Sequence, residues 1–284
     1  MTMADQVQRA KAFHTLHRQG EILVLVNAWD AASARVFELA GCPAVATTSA
    51  GLAWSLGYPD GERLPREDLV RAVAQICRVV TRPVSVDIER GFGRTVSEAC
   101  MTVKALIEVG AIGINIEDGT DDSGRTLAPP AELVEKIEAI RALAKVSGLP
   151  LFINARTDAY FLPTVDPATR FADAVQRLRA SAAAGADGVF APGLDDLDEI
   201  ARLVKAVDRP VNIYAGYAGV PSVVELARVG VRRVSVGCGP MQALLAFART
   251  IATELGTGRT YAAMTDSMLS VAEVNGMFPA IKER

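Results

Sequence analysis

Two stretches decide the fold: residues 83–89 read PVSVDIE, and residues 113–118 read GINIED. Both are apolar and β-branched at successive positions, which is typical of strands covered on both faces in a parallel sheet. Six further runs of this kind begin at positions 22, 43, 151, 188, 210 and 233. Amphipathic segments such as residues 66–80 and 130–146 lie between the runs, with apolar residues three and four apart. This alternation of strands and helices predicts an α/β fold.

The residues that precede the strands form a second pattern. Glycine closes the helix before four strands, and proline leads into three others. These residues are Gly41, Gly110, Gly185 and Gly230, and Pro83, Pro150 and Pro210. Glycine supplies the left-handed backbone at a helix end, whereas proline stops a helix and favours an extended strand. The two kinds alternate along the chain, which indicates a weak repeat of two strand–helix units.

Eight strands with such a repeat favour a closed (β/α)8 barrel of the TIM type over an open, doubly wound sheet. An open sheet is expected to carry a nucleotide-binding motif, and neither GxGxxG nor GxxxxGK[ST] occurs. We therefore predict a single barrel domain over residues 1–284. Residues 260–278 form an extra helical tail, which packs either within the subunit or on a neighbouring one.

The composition excludes several classes of partner. The chain has 30 Lys and Arg residues against 33 Asp and Glu residues, a formal net charge of −3, and no basic cluster. Nucleic acids and anionic membranes both need clustered basic residues, so neither is expected to bind. The four cysteines are scattered without a CxxC pair, which indicates reduced thiols and a cytoplasmic location. No apolar signal segment and no run of about 18 apolar residues occurs.

The distribution of histidine and lysine limits the chemistry. The only histidines, His14 and His17, lie in the first helical segment, before any strand. This disfavours Ser-His-Asp hydrolases, Cys-His proteases and the usual zinc enzymes. None of the six lysines lies at a strand end, which disfavours a Schiff-base aldolase. Carboxylates, hydroxyls, thiols or a metal-bound water are left for acid–base work.

Carboxylates collect where two neighbouring strands end, which is the place where barrel enzymes build their active sites. Asp87 and Glu89 are two residues apart and are expected to share a face, and Glu117 ends the next strand. Three carboxylates at one mouth would take up protons unless a cation neutralised them. Oxygen ligands without His or Cys indicate Mg²⁺, with Mn²⁺ as a substitute. Any one of these carboxylates taken alone is equally typical of a loop anchor.

An arginine faces this acidic group from the following strand. Arg156 offers a planar fork suited to a substrate carboxylate, although a salt bridge to Asp158 or Glu117 is the alternative. Asn212 and Ser49 are candidates to bind the same anion, or are buried polar groups with partners of their own. A divalent cation that binds a 2-oxo acid stabilises the enolate formed when a bond at the adjacent carbon breaks.

At these strand ends the sequence resembles the isocitrate lyase and phosphoenolpyruvate mutase superfamily, over nearly the whole chain. The matching segments, in order, are TTSAGLAWSLGYPDG, SVDIERGFG, NIED, NARTDA, AGADGVFAPG and PVNI. The resemblance implies a (β/α)8 barrel with a C-terminal helix swapped between subunits, usually in a tetramer. It also implies a Mg²⁺ enzyme that acts on small 2-oxo or 2-hydroxy acids through an enolate.

The resemblance also assigns roles residue by residue. It implies a metal shell, mostly through water, of Asp60, Asp87, Glu89 and Glu117. It implies that the substrate is bound by Ser49, Ala50 and Gly51 at its carboxylate, by Arg156 and Asn212 at the oxo acid, and by Trp29 and Asp30 at the floor of the site. Within this set, Asp60, Glu117 and Arg156 are the implied catalytic residues.

Four departures separate this chain from the superfamily pattern. The lyase loop of KKCGH type, whose Cys is the acid–base residue, is replaced by DGTDDSGRTLAPP at residues 118–130, which we expect to form a mobile lid with Arg125 as its one cation. The mutase loop with its Asn is absent as well. Glu89 stands where the family has Asp, and Pro192 stands where tricarboxylate lyases have Glu, which disfavours a substrate as large as isocitrate.

We therefore predict a Mg²⁺-dependent lyase-type enzyme that makes or breaks a carbon–carbon bond next to a 2-oxo acid of pyruvate, oxaloacetate or 2-oxoglutarate size. The reaction would pass through a metal-stabilised enolate. One alternative is phosphorus–carbon chemistry on phosphonopyruvate, by a mutase or a hydrolase. The other is a 2-oxo acid binding protein that has lost turnover.

Overall fold

Nine parallel strands form one sheet in the computed structural model, which describes residues 2–120 and 126–278. The strands are β1 (Leu23–Leu25), β2 (Asn27–Ala28), β3 (Val45–Thr47), β4 (Val84–Asp87), β5 (Gly113–Glu117), β6 (Phe152–Arg156), β7 (Gly188–Phe190), β8 (Val211–Tyr214) and β9 (Arg233–Ser235). All eight predicted runs contain a strand. The ninth strand arises because the first run is split at Val26 into β1 and β2.

The split strand closes the sheet into a barrel. β1 pairs with β9, whereas β2 pairs with β3 on the other side. The Asn27 side chain joins the two sides, because its Nδ2 donates to the Thr47 carbonyl (2.8 Å) and its Oδ1 accepts from the amides of Val236 (3.0 Å) and Gly237 (2.9 Å). The predicted (β/α)8 barrel of the TIM type is confirmed, because β1 and β2 together occupy one of its eight strand positions.

Helices surround the barrel and bury the outer faces of the strands. In chain order they are α1 (Met3–Arg18), α2 (Ala31–Leu39), α3 (Ser49–Ser55), α4 (Arg66–Val79), α5 (Val96–Glu108), α6 (Pro130–Val146), α7 (Arg170–Ala183), α8 (Leu197–Ala206), α9 (Val223–Arg228), α10 (Gly239–Thr253), α11 (Ala262–Thr265) and α12 (Val271–Gly276). A π-helical turn, Glu254–Gly258, follows α10. None of the helices in the described part of the chain is both long and apolar enough to cross a membrane. The four glycines predicted to end helices all have positive φ, between 94° and 114°, which confirms their left-handed backbone.

Helix α1 closes the end of the barrel opposite the strand carboxyl ends. Phe13 and His17 pack on Phe152, the first residue of β6, with ring centroids 5.2 and 4.0 Å apart. Gln6 fixes the helix to the barrel by donating hydrogen bonds to the carbonyls of Ile107 (2.9 Å) and Ala111 (2.8 Å). His17 is therefore buried in this aromatic contact and does not lie on a solvated helix face.

Polar side chains fill the barrel between this aromatic floor and the mouth. Asn115 Oδ1 accepts hydrogen bonds from Asn154 Nδ2 (2.8 Å) and from Arg233 Nη2 (3.3 Å). Since β5 and β9 are not neighbours in the sheet, the contact between Asn115 and Arg233 crosses the interior. Barrels are usually filled by branched apolar residues, so this polar layer is a distinguishing feature of the chain.

The C-terminal helices lie outside the barrel. Met241 is the only buried residue of α10, and Leu244, Leu245 and Phe247 are exposed on it. The end of the tail returns to the same subunit, where the Met277 carbonyl accepts a hydrogen bond from Arg35 Nε and Phe278 packs against the barrel core. The predicted tail is therefore helical, and its apolar side is largely uncovered in the single chain.

Candidate functional site

A cavity of about 160 Å³ opens at the carboxyl ends of the strands. Its lining includes the predicted residues Ser49, Ala50, Asp60, Asp87 and Arg156. The volume is well below the 300–1,000 Å³ or so of pockets for drug-sized ligands. A cavity of this size suits a small acid.

The turn between β3 and α3 places backbone amides beside the acidic group. Thr48 caps α3, and the Ser49 amide donates to Asp87 Oδ2 at 3.3 Å. Gly51 is required here, because a Cβ at this position would lie 2.6 Å from Thr48 Cγ2 and 2.9 Å from Trp29 Cβ. The local sequence thus packs the turn tightly and aims Ser49 into the cavity.

Asp87 is the carboxylate at the centre of the site. It is the last residue of β4, and its amide donates to Thr47 Oγ1 at 3.0 Å. Its Oδ1 is buried and has no hydrogen-bond partner. Asp60 also lines the cavity, and burial, together with the negative charge of Asp87, raises the pKa of Asp60. A cation placed here would stabilise both carboxylates.

Glu89 lies beyond the end of β4 and not within it. Its φ is 49°, and its Oε2 accepts a hydrogen bond from the Glu62 amide at 2.8 Å; Glu62 itself has a φ of 55°. Non-glycine residues in this region are strained and cluster at functional sites. Burial, followed by the charge of Asp60, raises the pKa of Glu89 to about 8. The prediction that Asp87 and Glu89 share a strand face is wrong, because β4 ends at Asp87. The two carboxylates are nevertheless close enough to repel each other.

Glu117, Arg156 and Asp158 form a partly buried ionic group. Arg156 Nη1 lies 2.8 Å from Glu117 Oε2, and Arg156 Nε donates to Asp158 Oδ1 at 2.6 Å. The salt bridges that the sequence left as an alternative for Arg156 are both present, and Arg156 nevertheless lines the cavity. Burial raises the pKa of Glu117 well above its ordinary value, although the charge of Arg156 opposes the change. No N–H bond of Arg156 points at Glu117 Oε2, so this oxygen is in the ion pair but accepts no hydrogen bond.

The residues present fit a hydrated divalent cation. Asp87 Oδ1 is a buried acceptor without a hydrogen bond, and Glu117 Oε2 is compensated only by its ion pair with Arg156; carboxylates that repel one another surround both. Within residues 2–120 and 126–278, no three His, Cys, Asp or Glu side chains lie close enough to ligate one ion together. Such a donor set suits Mg²⁺ or Mn²⁺, which keep several waters and take one or two carboxylates directly.

Several predicted residues lie near the cavity without lining it. Asp30 caps α2 by accepting a hydrogen bond from the Ser33 amide at 2.7 Å. Asn212 is in the polar layer below, where its Oδ1 accepts from Ser235 Oγ at 3.2 Å. The described lining also lacks Trp29, Gly51, Glu89 and Glu117. Of the predicted lid, residues 121–125, including Arg125, lie outside the described residues.

An aromatic wall of the cavity was missed by sequence reasoning. It consists of Phe161, Phe190 and Tyr214, with Pro192 beside them. The Arg156 guanidinium lies 5.4 Å from the Phe161 ring centroid and 5.9 Å from that of Phe190, which adds cation–π attraction. Phe190 and Tyr214 are the last residues of β7 and β8, so the strand-end rule could have found them, but their apolar character gave no chemical signal.

Comparisons with known proteins agree with this geometry. A family model described as phosphoenolpyruvate phosphomutase matches residues 13–256. The chain is 37% identical to an uncharacterized protein of Mycobacterium tuberculosis over 249 residues, which are 87% of this chain and 90% of that protein. It is 30% identical to the 2-methylisocitrate lyase of Escherichia coli over 206 residues, 71% of this chain and 68% of that enzyme. It is also similar to the crystal structure of a Burkholderia cenocepacia protein provisionally described as a lyase or mutase, with a TM-score of 0.89, 36% identity and 98% of each chain covered.

Proposed function

Since the chain belongs to the phosphoenolpyruvate phosphomutase family, within the isocitrate lyase and phosphoenolpyruvate mutase superfamily, we propose that it is a Mg²⁺-dependent enzyme of the lyase type. It makes or breaks a carbon–carbon bond adjacent to a 2-oxo acid of pyruvate, oxaloacetate or 2-oxoglutarate size. The observation that carries this proposal is the buried Asp87 Oδ1, which accepts no hydrogen bond, beside the partly buried ion pair of Glu117 with Arg156.

Each group of the site has a role in this reaction. When bound, Mg²⁺ supplies Lewis-acid stabilisation of the charge that develops on the oxo acid. Asp87, Glu89 and Glu117 would hold the ion, largely through water, with Asp60 beside them. Arg156 binds the substrate carboxylate, and the Ser49 turn donates to the same anion. Because charge-assisted hydrogen bonds in a small, buried site are strong, these contacts orient the substrate.

The residues that line the cavity favour a small substrate over a tricarboxylate. Arg156 is the only Lys or Arg among the described residues that line the cavity. A tricarboxylate would need further cations, whereas the wall beside Arg156 offers Phe161, Phe190 and Pro192. A residue of the polar segment 118–130, or a bound water, would move the proton in place of the absent lyase Cys.

Calorimetry tests the role of the ion. We expect pyruvate, oxaloacetate or 2-oxoglutarate to bind in the presence of Mg²⁺ and to lose at least about tenfold in affinity in EDTA, since the ligand would lose its electrophile. Equal affinity in both conditions would remove the metal from the proposal. Adding phosphonopyruvate to the panel distinguishes phosphorus–carbon chemistry, because that reaction releases phosphate or phosphoenolpyruvate. Saturable binding with no product from any acid would indicate a binding protein.

We also propose that the exposed sides of α10 and of the tail over residues 260–278 pack on neighbouring subunits of a cytoplasmic homotetramer, while Met277 and Phe278 at the end of the tail stay on their own barrel. Exposed apolar patches of this kind mark interaction surfaces. Light scattering is expected to give four times the mass of one chain, and Leu245→Glu on α10 is expected to reduce that mass. Val146→Glu, at a position 88% exposed on α6, is the matched control and should leave the mass unchanged. A monomeric wild type would contradict the proposal.

A further inference from the structure

A buried arginine without an acidic partner lies below the cavity. Arg233 is the first residue of β9 and is 1% exposed. Its Nε donates to Ser235 Oγ (3.2 Å) and its Nη2 to Asn115 Oδ1 (3.3 Å), whereas Nη1 has no partner. Among the residues that the structure describes, no carboxylate lies within 4.0 Å of the guanidinium. Burying an unpaired cation is costly, so its retention calls for a function.

Other unpartnered polar atoms share the barrel interior with Arg233. They are His17 Nε2, Ser85 Oγ, Asn154 Oδ1 and Asn212 Nδ2, all buried. His17 Nδ1 lies 2.8 Å from the Phe13 carbonyl, which can only accept, so Nδ1 carries the proton and Nε2 is an acceptor. Burial, and then the charge of Arg233, holds the pKa of His17 well below its ordinary value. Because buried polar groups are almost always hydrogen-bonded, internal waters are the natural bridge between these donors and acceptors.

The guanidinium is close enough to act on the site. Its two partners, Asn115 and Ser235, line the cavity, so only one side chain separates the positive charge from a bound ligand. Asp87 is the carboxylate whose charge acts on Arg233. Burial lowers the pKa of Arg233 to about 9, so the group remains charged at neutral pH. In a low-dielectric interior such a charge acts over several ångströms.

We propose that Arg233 is a positioning residue: a buried, water-bridged cation that holds Asn115 and Ser235 in the cavity floor and favours anionic ligands in the cavity. The inference rests on the proposed function, in that the ligand is the anion of an oxo acid and a divalent cation binds at Asp87. The same charge opposes a cation at Asp87. Removing it therefore has opposite effects on the two kinds of ligand, which distinguishes an electrostatic role from a structural one.

The test measures the binding of Mn²⁺ alone, and of oxalate in the presence of Mn²⁺, by calorimetry. For Arg233→Met we expect the Mn²⁺ affinity to rise by at least about threefold and the oxalate affinity to fall by about tenfold or more. Arg233→Lys retains the charge and is expected to restore both affinities toward those of the wild type. A loss of both affinities in Arg233→Met, or a change in neither, would overturn the proposal.

A second variant keeps the test valid if Arg233→Met fails to fold. Asn115→Asp is isosteric, accepts the same hydrogen bond from Arg233 and neutralises its charge, so it is expected to raise Mn²⁺ affinity and lower oxalate affinity as well. Unchanged affinities in Asn115→Asp would also refute the inference. Failure of the proposed function is distinguishable, because in that case oxalate binding to the wild type would be the same in EDTA.

Discussion

Replacing Arg156 by alanine is expected to weaken 2-oxo acid binding by about 1.5–3 kcal/mol, which corresponds to a loss of roughly 10- to 150-fold in affinity. The reason is the loss of a charge-assisted contact with the substrate carboxylate. The same change leaves Glu117 and Asp158 buried without their cation. We therefore also expect the free energy of unfolding to fall by about 3–5 kcal/mol. Calorimetry measures the first effect, and urea denaturation in EDTA measures the second.

Two further variants separate the effect on substrate binding from the effect on stability. Arg71→Ala is the matched control, because Arg71 is in an exposed ion pair with Asp68, 2.6 Å away on α4, and such pairs contribute about 1 kcal/mol or less. Arg156→Lys keeps the charge and loses the planar fork, so it should recover stability better than substrate affinity. Unaltered oxo acid binding in Arg156→Ala would contradict the substrate role, whatever happens to stability.

Without divalent ions, the protein is expected to lose stability as the pH rises from about 4.5 to about 8. Burial raises the pKa of Glu89 from its ordinary 4.5 to about 8. Between these values the folded protein keeps a proton that the unfolded chain has released, so the free energy of unfolding falls with rising pH. The total change from this residue is at most about 5 kcal/mol. Urea denaturation in EDTA across this range measures it, and saturating Mg²⁺ should flatten the curve because it favours the ionised carboxylates.

Glu89→Gln provides the specific check. Its side-chain oxygen still accepts the hydrogen bond from the Glu62 amide, but the group no longer titrates, so the part of the pH dependence that Glu89 contributes should disappear. The part from Glu117 and Asp60, whose pKa values are also raised, should remain. Glu108→Gln, at an exposed position at the end of α5, should leave the dependence intact. A wild-type protein equally stable at pH 5 and pH 8 without metal would show that Glu89 is not held protonated.

Sequence reasoning succeeded where the signal was local. The apolar runs around Val84 and Ile114 identified strands because a strand buried on both faces must be apolar at successive positions. Gly110 and Gly185 identified helix ends because they adopt a backbone that other residues avoid. Arg156 was identified because a cation at a strand end among carboxylates either binds a substrate anion or forms a salt bridge.

Sequence reasoning was less successful where the position of a side chain depended on the residue at which a strand ends. The pairing of Asp87 with Glu89 assumed a strand through both residues, whereas β4 ends at Asp87 and Glu89 enters the left-handed region. The loop at Glu62 sets that conformation through a hydrogen bond 27 residues distant in the chain. Asn212 follows the strand-end rule as well, but it faces the polar layer below the cavity.

By itself, the sequence determined the order of strands and helices, the barrel that this order closes into, and the acidic character of the mouth, because these follow from periodicity, helix-ending residues and charge placed at strand ends. Only the tertiary structure decided which carboxylate oxygens are left without donors, which aromatic rings face Arg156, and that Arg233 points into the barrel. Those outcomes depend on distances between side chains from strands far apart in the chain. Burial then changes the energy of each charge, and no local pattern of residues encodes that change.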